Sequence, residues 1–92
     1  MKDLKLRLDR CAKKAAFSTA DLALWFDLSY GNIRAYRKGI VPYENRRAQI
    51  GQRLAQLEKA INSDSRLPVP LGVWKQQRKE YILAIRDFHN RK

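Results

Sequence analysis

Apolar residues recur along most of this chain at intervals of three and four, the spacing of one face of an α-helix, with almost no strand-like alternation. Leu4, Leu8, Cys11 and Ala15 form a first stripe, with Arg7, Arg10, Lys13 and Lys14 outside it, and predict a helix over 2–17. Leu22, Ala23 and Phe26, with Trp25 beside them, predict a short helix over 19–26. Ile33 and Tyr36 share one side of a helix over 30–38, while Tyr30, Gly31, Arg34 and Lys38 take the other. Ile50, Leu54, Leu57 and Ile61 predict a helix over 42–62, and Trp74, Tyr81, Ile82, Ile85 and Phe88 one over 73–90. The intervening NSDSRLPVPLG, 62–72, resists both helix and central strand and reads as a loop. The expected fold is therefore all-α, five helices in one domain spanning 1–92.

The ends of the two middle helices carry specific local chemistry. Ser18 followed by Asp21 is a capping box, with Phe17 and Leu22 spaced as a hydrophobic staple across it. Asp27-Leu28-Ser29 interrupts the pattern; Ser29 is a second N-cap, and Leu28 and Ile33 are spaced for a second staple. Gly39 suits the left-handed residue that ends a helix. Pro42 suits a first helical position, and Glu44 places a negative charge in the following first turn.

Residues 18–39, STADLALWFDLSYGNIRAYRKG, resemble the helix-turn-helix of lambda Cro and lambda repressor, a family common among phage and prophage regulators. The resemblance rests on small Ala23 where the helices cross, on apolar Leu22, Phe26, Leu28 and Ile33, on Tyr36, and on Gly39-Ile40-Val41-Pro42 after the second helix. It covers Ser18 to Ile61 and leaves 62–92 unmatched. Asp27 departs from it, standing where the family usually has a turn glycine, although Asp tolerates a positive φ better than most residues.

Charge and composition agree with a polyanionic partner. The 92 residues carry 20 Lys and Arg against 9 Asp and Glu, a formal net charge of +11. The segments 1–17 and 75–92 each carry six cations against two acids, whereas 18–41 carries three against two. A groove-reading helix would thus be flanked by more positive regions. No segment is long and apolar enough to span a bilayer, and MKDLKLRLDR lacks a signal peptide's apolar centre. A single cysteine, Cys11, forms no internal disulfide, and no Cys/His spacing supports zinc. A cytoplasmic location is expected, with no membrane contact.

The resemblance implies that the first turns of the second helix meet base edges. Ser29, Tyr30, Asn32 and Arg34 are then the base-reading candidates, with Lys38 further along. Arg34 suits guanine and Asn32 suits adenine, by paired hydrogen bonds. Arg37 lies nearer the packed side and is expected at a phosphate, as are Arg46, Arg47, Lys13 and Lys14. Trp25 is the least settled aromatic, and His89 is expected on the surface. Cys11 reads as a small buried hydrophobe.

Trp74, Tyr81, Ile85 and Phe88 make a long apolar seam that either closes the protomer's own core or pairs with a second copy; the reading favours a homodimer. No nucleophile–base pair, phosphate loop or metal set argues for an enzyme, and no cofactor or small-molecule effector is evident. The expected function is sequence-specific binding of double-stranded DNA by a phage or prophage-type transcriptional regulator, most simply a repressor. Two alternatives stay open. One is a DNA-packaging or recombination factor resembling a small terminase subunit or excisionase. The other is a protein-interaction module, such as an antitoxin or an inhibitor of host machinery.

Overall fold

The computed structural model describes residues 3–70 and 72–90. The predicted helix start at Lys2, the loop residue Leu71 and the terminal cations Arg91 and Lys92 lie outside them. Five helices follow in order: α1 (Leu4–Ala15), α2 (Thr19–Phe26), α3 (Tyr30–Arg37), α4 (Glu44–Ser63) and α5 (Lys75–Asn90). The domain is all-α.

The first three helices end in the same way. Each is closed by a left-handed residue: Ala16 (φ 56°) and Asp27 (φ 56°) directly after α1 and α2, and Gly39 (φ 103°) after Lys38 at the end of α3. In each, the next amide reaches back five residues to a carbonyl: Phe17 to Ala12 at 2.8 Å, Leu28 to Ala23 at 3.1 Å, and Ile40 to Ala35 at 3.1 Å. This closure satisfies carbonyls that a helix end would otherwise leave bare. It also explains why α1 stops at Ala15 and not at Phe17, which is turned inward and buried. Only the third closure uses glycine, so Ala16 and Asp27 hold a conformation disfavoured for residues with a Cβ.

Both expected caps are formed. Ser18 Oγ accepts from the Asp21 amide at 3.2 Å, and an Asp21 carboxylate oxygen accepts from the Ser18 amide at 2.9 Å. Ser29 Oγ accepts from the Asn32 amide at 3.2 Å. Three starts are later than predicted: α1 opens at Leu4, after a left-handed Asp3 (φ 64°), and the other two are those of α4 and α5. Pro42 is not the first residue of α4: Tyr43 remains extended (ψ 150°), the Pro42 carbonyl accepts from Arg47 Nε at 3.2 Å, and the helix opens at Glu44. The last helix opens at Lys75, because the Val73 amide is turned back to the Pro70 carbonyl and the Arg78 amide reaches the Trp74 carbonyl at 2.7 Å.

The helices enclose one core. α1 packs on α3 and α4, and α2 on α3, α4 and α5, while α4 and α5 pack together. Leu8, Leu22, Phe26, Ile33, Ile50, Leu54, Leu57, Ile82 and Ile85 fill it, with Trp25 at its centre. Trp25 is wholly buried, which answers the question the sequence left open: its indole N–H donates to the Arg53 carbonyl at 3.0 Å, satisfying the one polar atom it brings inside. The loop after α4 seals one end, with buried Val69 donating its amide to the Ala15 carbonyl. Among the described residues no helix is long and apolar enough to cross a membrane.

Candidate nucleic-acid interface

The turn Asp27–Ser29 joins α2 to α3, and the two helices pack directly on each other. Ile33 and Tyr36 hold α3 to the core. Its outer face carries Tyr30, Gly31, Arg34 and Lys38, all exposed, with Asn32 half-buried at the margin. Gly31 has no neighbouring atom where a Cβ would stand, so packing does not require glycine there. Ser29 is exposed, and although its hydroxyl oxygen caps α3, its hydrogen and its second lone pair remain free for a further partner. The five residues expected to read bases therefore lie on or beside one short helix.

The arginines divide into two groups by their partners. Arg7 is bound to Glu58 (Nη2–Oε1 2.5 Å), joining α1 to α4. Arg78 is bound to Asp21 at 2.8 Å and to the Ala16 carbonyl, joining α5 to the cap of α2. Arg86 donates to the Leu24 carbonyl at 2.9 Å and pairs with Asp87. These side chains tie the helices together. Among the described residues, Arg34, Lys38, Arg46, Lys13 and Lys14 have no carboxylate partner, and Arg47 bonds only the Pro42 carbonyl.

Arg37 belongs to the first group, which corrects its expected role at a phosphate. Its Nε donates to Asp9 at 2.9 Å and its Nη1 to Thr19 Oγ1 at 3.0 Å, so it anchors α3 to α1 and α2. Burial would raise the pKa of Asp9, but the hydrogen bonds from Lys5 and Arg37 outweigh it and hold the carboxyl below its ordinary value. The sequence hides this pairing, since Asp9 and Arg37 are 28 residues apart.

The remaining phosphate candidates are dispersed. Arg46 and Arg47 occupy the first turn of α4, just after the end of α3. Lys14 instead lines a cleft with Glu58, Ile61 and Asn62 near the other end of α4, some 20 Å away at 1.5 Å per residue. Lys13 is exposed in the last turn of α1. Ile40 and Val41 enter the sequence reading only through the family-like continuation, and Tyr43 does not enter it. All three are exposed on the loop between α3 and α4, a hydrophobic margin that periodicity does not reveal because the loop has none.

The proposed dimer seam is split. Ile85 is wholly buried in the protomer's own core, which removes it from the seam, and Tyr81 is partly buried against that core. Trp74 precedes the helix and is 79% exposed, and Phe88 is 59% exposed. Arg66 lies over the Phe88 ring, 5.2 Å from its centroid. His89 is also corrected: its side chain is 7% exposed, with Nε2 3.0 Å from Asp64. Asp64 binds Arg66 as well, and hydrogen bonds chiefly from that guanidinium hold its carboxyl far below the usual range.

No protein-family model matches the chain, and neither a curated protein nor a solved structure matches it.

Proposed function

We propose that this protein is a helix-turn-helix DNA-binding protein that reads duplex sequence through α3, acting in the cytoplasm as a phage or prophage-type transcriptional regulator, most simply a repressor. The observation that carries the reading is the exposed face of α3. Its Arg34 and Lys38 have no carboxylate partner among the described residues, in a fold where Arg7, Arg37, Arg66, Arg78 and Arg86 are all ion-paired. A guanidinium projecting from a helix that fits the major groove suits the paired acceptors of guanine, and Asn32 suits adenine. Arg46 and Arg47, just beyond the end of α3, suit the adjacent phosphates, which fix register without reading sequence. The exposed Trp74 and Phe88 support a homodimer, through a smaller contact than the four-residue seam.

The test is selection of bound duplexes from a random pool at physiological salt. An enriched inverted repeat, with half-sites about one helical turn apart, is the result expected of a symmetric reader. Arg34→Ala should then lose about 1–3 kcal/mol of discrimination at one base position. Arg47→Ala should weaken all duplexes alike and reduce the salt slope by about one. Equal losses on every sequence for both variants would remove Arg34 from base reading, and absence of duplex binding would refute the function.

A further inference from the structure

A groove of 860 Å³ runs between α2 and α5. Its floor includes Leu24 and Leu83, and Lys75 and Lys79 stand on its α5 side. Tyr30, the first residue of α3 and 54% exposed, lines the same groove. The groove is therefore continuous with the face of α3 assigned to base reading. We propose that it seats a second stretch of the sugar–phosphate backbone of the bound duplex, with Lys75 and Lys79 as its phosphate contacts. The inference rests on the reading of α3 as the duplex-binding helix.

The charges around the groove favour an anion. Its two acids are Asp21 and Asp27, set against Lys75, Arg78, Lys79 and Arg86. Arg78 is bound to Asp21, and Arg86 holds the Leu24 carbonyl, so these arginines fasten the walls together. Lys75 and Lys79 are exposed and have no hydrogen-bonding partner among the described residues. Their spacing of four places them on one face of α5, about 6 Å apart along its axis. Phosphates of one strand advance about 3.4 Å along the duplex axis, so the two ammonium groups can serve neighbouring or next-neighbouring phosphates.

The position relative to α3 identifies which backbone is met. Arg46 and Arg47 follow the C-terminal end of α3, whereas the groove adjoins its N-terminal end at Tyr30. An eight-residue helix is about 12 Å long, so cations beyond its two ends meet separate stretches of the sugar–phosphate backbone. The small and aliphatic floor faces the sugars, which need no hydrogen bonds there.

The experiment compares wild type with Lys75→Gln/Lys79→Gln on a selected duplex and a scrambled one, by fluorescence anisotropy between 50 and 200 mM salt. Loss of two phosphate contacts should reduce the log–log salt slope by about 1.8. Over that fourfold range the wild type should then lose about tenfold more affinity than the variant, with sequence preference unchanged. Lys59→Gln, on the exposed surface of α4, should leave the slope nearly unaltered, and thermal melts verify that each variant is folded. Binding by wild type with equal slopes for wild type and double variant would overturn the groove assignment alone. Failure of wild type to bind any duplex would overturn the parent reading. Capture of poly-glutamate by wild type but not by the variant, with equal slopes on DNA, would reassign the groove to an acidic peptide.

Discussion

Replacing Arg78 with Met keeps most of the aliphatic side chain and removes the guanidinium that joins α5 to the start of α2. That guanidinium makes contacts at 3.0 and 2.8 Å to one oxygen of Asp21, a contact to the Ala16 carbonyl, and a longer one of 3.5 Å to the Pro70 carbonyl. The paired side chains are only 16% and 10% exposed, so water compensates poorly for a lost partner. Removing one member of a buried pair costs about 3–5 kcal/mol. Asp21 keeps its bond from the Ser18 amide, which places Arg78→Met at the lower end, about 3 kcal/mol. In a domain of this size that corresponds to a drop in Tm of about 12 °C or more. Urea and thermal unfolding followed by circular dichroism measure it, with Asp21→Asn and the double variant completing a cycle. A coupling of about 1–3 kcal/mol is expected for the pair. A loss under about 1 kcal/mol, with additive single effects, would mean that the pair behaves as a solvated surface contact and would refute the reasoning.

Other perturbations probe different parts of the fold. Ala16→Gly should raise stability by about 0.5–1 kcal/mol in urea melts, because relief of the left-handed Cβ exceeds the added freedom of the unfolded chain. A loss on this substitution would contradict the closure described for α1. The hydrogen bond from Arg7 lowers the pKa of Glu58 in the folded state. Its stabilising effect is present above the unfolded carboxyl value near pH 4.3 and is lost as pH falls toward the folded value. Stability measured from pH 6 to pH 2 should therefore decline in acid, and Arg7→Gln should flatten that decline; an unchanged profile argues against the pair. Burial pushes the Cys11 thiol up to about 11, so at pH 8 it should resist a disulfide reagent in the native state and react promptly in urea. Rapid native reaction would show that α1 opens readily from α4.

Helix identity and local punctuation were legible without the structure because both depend on residues a few positions apart. Ser18 with Asp21, Ser29 with the Asn32 amide, and the left-handed Gly39 are interactions within a single turn. The outer face of α3 was legible for the same reason, since a helical period alone separates Arg34 and Lys38 from Ile33 and Tyr36. Boundaries shifted where a tertiary or loop contact intervened, as at Pro42 and Trp74. Periodicity also grouped Trp74, Tyr81, Ile85 and Phe88 into one seam, although α5 turns Ile85 fully toward α2 and α4 and leaves Phe88 beside Arg66. The surface expectation for His89 failed similarly, because Asp64 reaches it from 25 residues away.

Five amphipathic helices, their principal caps and a large excess of positive charge follow from composition or from spacing within a few residues. Which of those cations remain available depends on how the helices pack. Asp9 meets Arg37, Glu58 meets Arg7 and Asp21 meets Arg78 across separations of 28, 51 and 57 residues. An ion pair depends on distance in space and on exclusion of water, and folding brings both about only after the helices have packed.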